Sequence, residues 1–243
     1  MHIIKLNAID STNSYLRQLC SKSKLEDMTT VMTKHQINGR GQMGAQWNSE
    51  KGKNLTCSVF KRFQGFKVDQ SFHVSMITSL ALLRTLRAFQ IPKLKIKWPN
   101  DILSENKKIC GILIENIIKN NEVEASIIGI GLNVNQVYFE QLPQASSMMA
   151  IVGKLHDINE IMHHLLKSLD FYFKKLEQGE FDRLKAAYER QLFRINKPST
   201  FRDNNEQVFP GIIQGVDPNG LLIVKLEDEI LRSFDLKEIQ LLY

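Results

Sequence analysis

Between Leu94 and Val134 the chain alternates strand-like runs with turns too short to hold a helix, and no other segment limits the fold so strongly. The runs Leu94–Trp98, Asp101–Ser104, Ile109–Ile118 and Glu122–Val134 read as successive strands, with Glu105-Asn106-Lys107 and Asn120-Asn121 as hairpin tips. Strands joined by such tips pair antiparallel, so the segment predicts a meander and not repeated βαβ units. Upstream, Ile3–Leu6, Thr29–His35 and Asn54–Arg62 also read as strands. A helix starts near Ser14, where Tyr15, Leu16 and Leu19 repeat at helical spacing. Phe72 to Phe89 has apolar residues at 76, 77, 80, 82, 83, 86 and 89 and no proline, which predicts a long buried helix that Pro92 stops. Amphipathic helices near Ile158–Leu176 and Phe181–Leu192 join it on one face of the strands. The expected class is α+β: a mixed, mostly antiparallel sheet covered by helices.

After Lys197-Pro198 the texture changes to four or five short strands separated by Asp203-Asn204-Asn205, Asp217-Pro218-Asn219-Gly220 and Glu227-Asp228-Glu229. A small β-barrel is expected there, dividing the chain into residues 1–193 and 194–243. With 43% hydrophobic and 24% charged residues the chain can build a core, which excludes a disordered protein. The N-terminus lacks an apolar signal core, and no uncharged run approaches the roughly 18 residues of a membrane span, so a cytoplasmic protein without membrane contact is expected. Cys20, Cys57 and Cys110 are odd in number and widely spaced, as fits reduced thiols. There is no HExxH, and His163 and His164 point to different sides of their helix, so no structural metal is implied. Residues 197–243 carry five Lys/Arg against eight Asp/Glu, net −3, which leaves +9 on residues 1–196 out of the total +6. That excess fits small anionic ligands or an acidic protein partner as well as nucleic acid, and no block of five basic residues appears.

The candidate chemistry lies in Gly39-Arg40-Gly41-Gln42-Met43-Gly44-Ala45-Gln46-Trp47, held between two predicted strands. Glycines permit close backbone approach, Arg40 adds a rigid cationic fork, and Trp47 offers a face for a planar ring, so the loop reads as an anion cradle, with a flexible surface loop as the plainer reading. It is not a Walker loop, because no Gly-Lys-Ser/Thr follows. Its GxGxxG match lacks the βαβ setting of a dinucleotide fingerprint. Lys97-Trp98-Pro99-Asn100-Asp101 and Lys107-Lys108-Ile109-Cys110-Gly111 again set cations and glycine beside apolar strands, and three such segments point to one site. Ser11-Thr12-Asn13 reads by itself as a helix cap.

Taken in order, Asp10-Ser11-Thr12-Asn13, Gln36 with Gly39–Trp47, Lys97–Asp101, Lys108-x-x-Gly111 and Gly129-Ile130-Gly131-Leu132-Asn133-Val134-Asn135 resemble the biotin-protein ligase family over nearly the whole chain. The resemblance implies a ligase-type catalytic domain followed by a small SH3-like β-barrel. It also implies ATP- and Mg²⁺-dependent conversion of biotin to biotinyl-5′-AMP, and transfer of the biotinyl group to a lysine of a biotin carboxyl carrier domain. By the same resemblance Lys108 and Arg40 carry the catalysis. Ser11, Thr12, Asn13, Gln36, Gly39, Arg40, Gly41, Lys108 and Gly111 hold biotin. Arg40, Gly41, Gln42, Trp47, Asn100, Lys108, Gly131 and Asn133 hold ATP or the adenylate, and Asp101 offers oxygen to Mg²⁺. Lys107 reads as a solvated hairpin lysine, and Trp98 and Pro99 as packing residues.

Two features depart from the family pattern. Gln42 and Ala45 stand where most bacterial relatives have arginines, so retention of the adenylate by the loop is the property expected to differ. The first motif begins at residue 10, which leaves no room for the helix-turn-helix of DNA-binding relatives, so no DNA partner is expected. A homodimer through paired edge strands stays open. A lipoate or octanoate ligase is the alternative within the enzyme class, and the hydroxyls and amides of Ser11, Thr12, Asn13 and Gln36 argue for the ureido head of biotin instead. An RNA-binding module is the alternative of another class, disfavoured because no RNP-like aromatic strand is present.

Overall fold

The computed structural model describes residues 2–140 and 142–243. Its first unit is a seven-stranded sheet in the order β1-β2-β3-β7-β6-β5-β4. The strands are β1 (Ile3–Leu6), β2 (Thr30–Thr33), β3 (Leu55–Arg62), β4 (Leu94–Lys97), β5 (Asp101–Ser104), β6 (Lys107–Lys119) and β7 (Glu122–Leu132). All neighbours pair antiparallel except β1 and β2, which are parallel because α1 (Thr12–Lys22) carries the chain across between them. The meander predicted over residues 94–134 is β4 to β7. Its last tip, Asn120-Asn121, turns on two residues at φ 51° and 62°, a conformation asparagine tolerates better than most side chains.

Strand alternation decides which face holds the site. On β7, Ile128, Ile130 and Leu132 point into the main core with Leu55, Cys57 and Val59 of β3. That face is covered by α2 (Phe72–Ala88), α4 (Ile158–Glu177) and α5 (Phe181–Glu189), the three helices expected there. The opposite face carries Phe60, Ala125 and Ile127, which pack under α1 around Leu16 and Val31. Farther along this second face come Ser58 and Gly129, which the first turn of α1 still overlies, and then Thr56, Gly131 and Gly111, which lie beyond it.

Five antiparallel strands form the C-terminal barrel in the order β11-β10-β9-β8-β12, with β8 (Pro198–Asp203), β9 (Val208–Val216), β10 (Leu222–Lys225), β11 (Leu231–Phe234) and β12 (Ile239–Leu242). Its core of Phe201, Ile213, Val216, Val224 and Phe234 is continuous with the main core. Trp98 Nε1 donates to Gly220 O at 2.8 Å, the Val216 N–H donates to Glu189 Oε1 at 3.0 Å, and Phe72 fills the space beside Gly220. Trp98, expected as a packing residue, also ties the barrel to the first sheet through this bond. A short helix, α3 (Met148–Val152), was not expected, and α1 begins at Thr12 instead of near Ser14.

Candidate functional site

The uncovered part of the second face floors a cavity of about 260 Å³ whose walls come from α1, the 39–47 loop, β5 and the barrel residue Leu236. Register builds the floor. Thr56 of β3, Gly131 of β7 and Gly111 of β6 lie side by side, and Ser58, Gly129 and Leu113 form the next row. Glycines here keep the floor low where side chains would fill it.

One end of the cavity is polar and uncharged. The Thr12 N–H and Oγ1 both donate to Gln36 Oε1, at 2.8 and 3.0 Å. Ser58 Oγ lies 2.6 Å from both Thr12 Oγ1 and Asn13 Oδ1, and its one proton serves one of them at a time. Ser11 occupies the N-cap position of α1 but makes no side-chain cap bond, so the capping expected of it is performed by Gln36, 24 residues away. Ser11, Thr12, Asn13 and Gln36 are all buried. Asn13 Nδ2 donates to Glu115 Oε2 at 2.8 Å and to Leu113 O at 3.3 Å.

The glycine loop is a closed hairpin laid over the cavity. Arg40 bridges Gln46, the Trp47 N–H donates to Gly39 O at 2.9 Å, and the Gly41 N–H donates to Ala45 O at 2.6 Å, with Met43 at φ 56° at the tip. A Cβ on Gly39 would meet Trp47 O and Gln36 Nε2, so glycine is needed there to admit the returning strand. The Trp47 indole enters the cavity and lies against Gly131 and Gly111. Its Nε1 is buried without a partner, as is Gln42 Oε1. Arg40 stands on the Glu115 carboxylate at 3.2 Å, toward the polar end and not beside Lys108. Gly39, Gly41 and Ala45 also line a shallow groove with Leu113 and Glu115.

The other end is cationic. Lys108 pairs with Asp101 at 2.7 Å and stands 5.8 Å from the centre of a Trp47 ring. Asp101 Oδ1, though buried, has no aligned hydrogen-bond donor, so the contact with Lys108 is an ion pair only. Lys97 is close by, 4.8 Å from the Tyr243 ring. Burial lowers the Lys97 pKa and the charge of Lys108 lowers it further, against the attraction of Asp101. Burial and the Asp101 carboxylate both raise that of Tyr243. Asn100 donates from Nδ2 to Ile112 O at 2.8 Å and lines both this cavity and a second one of about 260 Å³ that Lys97, Trp98, Leu236 and Gln240 share at the barrel junction.

Most residues expected at the site meet in this cavity: Ser11, Thr12, Asn13, Gln36, Arg40, Gly41, Gln42, Trp47, Asn100, Asp101, Lys108, Gly111 and Gly131. Asn133 stands apart from its lining. It is buried, donates from Nδ2 to Ser146 O at 3.0 Å, and fastens the segment after β7 beside the β6 end that carries Lys108. Lys107 is exposed, as expected. Sequence reasoning did not bring forward Thr56, Ser58, Glu115 or Leu236, and it named Gly129 only as part of the glycine motif of residues 129–131. Thr56 and Ser58 did leave a signal, two polar residues at period two in the otherwise apolar stretch Leu55–Phe60. Burial pushes the Cys57 thiol up to about 12 and raises that of Cys110, so neither acts as a nucleophile. Among the described residues no group of three or more His, Cys, Asp or Glu is placed to hold a metal, and no helix is long and apolar enough to cross a membrane.

Comparison with known proteins agrees with this geometry. Residues 6–133 match the biotin/lipoate A/B protein ligase family, and residues 195–241 match the biotin protein ligase C terminal domain. The chain is 28% identical over 238 residues to the bifunctional ligase/repressor BirA of Escherichia coli (strain K12), covering 97% of this chain and 73% of that protein. It is 28% identical over 223 residues to the biotin–[acetyl-CoA-carboxylase] ligase of Paracoccus denitrificans, covering 89% and 91%. The biotin protein ligase from Aquifex aeolicus in complex with biotin and ATP shares the fold, with a TM-score of 0.81 at 23% identity over 99% of this chain and 98% of that one.

Proposed function

The chain belongs to the biotin/lipoate A/B protein ligase family, and on that premise we propose that it is a biotin protein ligase, joining biotin to AMP at the expense of ATP and passing the biotinyl group to a lysine of a biotin carboxyl carrier domain. The observation that carries the reading is a single cavity with an uncharged amide-and-hydroxyl end and a cationic end, connected along a glycine floor. Ureido N–H and C=O groups match Ser11, Thr12, Asn13, Gln36 and Ser58, whereas a lipoyl or octanoyl chain would strand those buried groups without partners. The valeryl chain then runs over Gly129 and Gly111 toward Lys108.

In the first step a biotin carboxylate oxygen attacks the α-phosphorus of ATP, the P–O bond to pyrophosphate breaks, and pyrophosphate leaves. In the second, the carrier lysine amine attacks the acyl carbon, AMP leaves, and the amine loses its proton. Both reacting groups of the first step are anions, so a cation between them is the chief requirement. At about 4 Å and an effective dielectric of about 20 such a cation contributes about 4 kcal/mol. Lys108 fills that role, with Gly41, Gln42, Trp47, Asn100 and Gly131 shaping the adenylate end, Asn133 fastening the segment beside Lys108, and Arg40 and Gly39 forming the hairpin above. Mg²⁺ would bind with the nucleotide. One carboxylate plus phosphate oxygens suffices for that ion, and the underused Asp101 oxygen fits it. The catalytic unit is assigned to residues 1–193 and the barrel to 194–243.

Incubation with α-labelled ATP, Mg²⁺ and either biotin, lipoate or octanoate is expected to yield an acyl-adenylate and pyrophosphate with biotin alone. Adenylate formation only with lipoate or octanoate, or RNA retained on a filter with no adenylate at all, would replace this reading. The hairpin makes a second expectation. Restoring charge with Gln42→Arg and Ala45→Arg should slow adenylate escape at least about threefold, the scale of one exposed charge contact. A pulse-chase with unlabelled ATP measures it, and an unchanged half-life would remove the arginine count as a determinant of retention.

A further inference from the structure

Glu115 sits on β6 four residues beyond Gly111, in the groove beside the cavity that the hairpin borders, and one carboxylate there collects three groups from two other elements. Asn13 Nδ2 reaches it at 2.8 Å, Arg40 Nη2 lies 3.2 Å from both of its oxygens, and Arg17 Nη2 is at 3.7 Å. Among the described residues the Arg40 contact is the one ion pair between the 39–47 hairpin and the sheet.

Two consequences follow from the chemistry of these groups. An ionised carboxylate only accepts hydrogen bonds, so it must face the NH₂ end of the Asn13 amide. That fixes the amide and leaves Oδ1, the acceptor, beside Ser58 and over Gly129 in the cavity wall, where a ureido N–H donor needs it. The same carboxylate anchors Arg40, the arginine that remains in a hairpin where Gln42 and Ala45 carry no charge. The group that aims the ureido-binding amide is thus also the group that holds the lid down.

Resting on the biotin ligase reading above, we propose that Glu115 is a positioning residue that couples recognition of the biotin head to closure of the 39–47 hairpin. Binding energy at the ureido end tightens the Asn13–Glu115 contact, and Glu115 carries that order to Arg40 without touching either substrate.

The test is Glu115→Gln in the full-length chain, read by biotin affinity and by the rate of tryptic cleavage at Arg40, with and without saturating biotin. Wild type should bind biotin and become protected at Arg40. Glu115→Gln should weaken biotin binding at least about tenfold, as expected for one charge-assisted hydrogen bond, and should show no added protection even when saturated with biotin. Glu115→Asp, which keeps the charge, should recover part of the protection at an unchanged melting temperature. As Arg40→Ala removes the cleavage site, that variant is followed by hydrogen exchange of residues 39–47. In that background Glu115→Gln should still weaken biotin but change lid exchange no further. If Glu115→Gln binds biotin and protects the hairpin within about twofold of wild type, the coupling is overturned. A wild type that binds biotin but gains no protection also overturns it while leaving the ligase reading intact. A wild type that binds no biotin overturns both.

Discussion

Lys108→Ala is expected to slow biotinyl-adenylate formation at least about a hundredfold, equivalent to about 2.7 kcal/mol. The ammonium lies at the start of β6, paired at 2.7 Å with Asp101, and its Cε and Nζ come within 3.4 Å of the space over Gly111. It therefore stands where the glycine floor meets the cationic end. Its removal acts twice: the two reacting anions lose the cation between them, and Asp101 is left as an uncompensated carboxylate beside the nucleotide. Lys97 is the nearest candidate for a substitute, but burial already lowers its pKa and its side chain is engaged over Tyr243. Converting Asp101 to asparagine in the Lys108→Ala background should recover none of the loss, because the same carboxylate is assigned to Mg²⁺. Single-turnover pyrophosphate release measures both variants. A Lys108→Ala rate within about threefold of wild type would take Lys108 out of the chemistry.

What could be read from the sequence was what is local along the chain. The meander was legible because Asn120-Asn121 is a turn by its own chemistry, and the long helix because residues 72–88 repeat their apolar positions in one window. The start of α1 was misplaced for the opposite reason: its first N–H is satisfied by Gln36, which no reading of residues 10–22 contains. Helix α3 has five residues, too few to show a period.

The site follows the same rule. Lys108, Asp101, Arg40 and Trp47 sit in motifs whose residue types announce an anion, so the sequence alone brings them forward as candidates, and all four line the cavity. Ser58 and Glu115 acquire meaning only through register, which sets Ser58 beside Gly129 and brings Glu115 under both Asn13 and Arg40. Arg40 is the instructive case: its charge was read correctly, but its partner in the fold is a carboxylate 75 residues away, at the polar end of the cavity.

Gly129→Ala should weaken biotin binding by at least about tenfold, the scale of the Asn13 Oδ1 contact to the ureido ring. A Cβ there would lie 2.5 Å from Asn13 Oδ1, 3.0 Å from its Cγ and 3.1 Å from Nδ2, so the whole amide must move. It cannot move cheaply, because Ser58, Leu113 O and Glu115 hold it from three sides. Gly129 lies in the ordinary extended region of a paired strand, where alanine costs the backbone little, so a fall in melting temperature would report the displaced Asn13 amide and not backbone strain. Gly131→Ala, two residues on and on the same face, provides the contrast: its Cβ meets the Trp47 indole and not Asn13. That substitution should shift Trp47 fluorescence and speed adenylate escape while biotin affinity stays within about threefold of wild type. Calorimetry with biotin separates the two variants. Equal losses of biotin affinity from both would mean that the cavity is not divided into a ureido end and an adenylate end along this glycine row, because each methyl group touches only one of them.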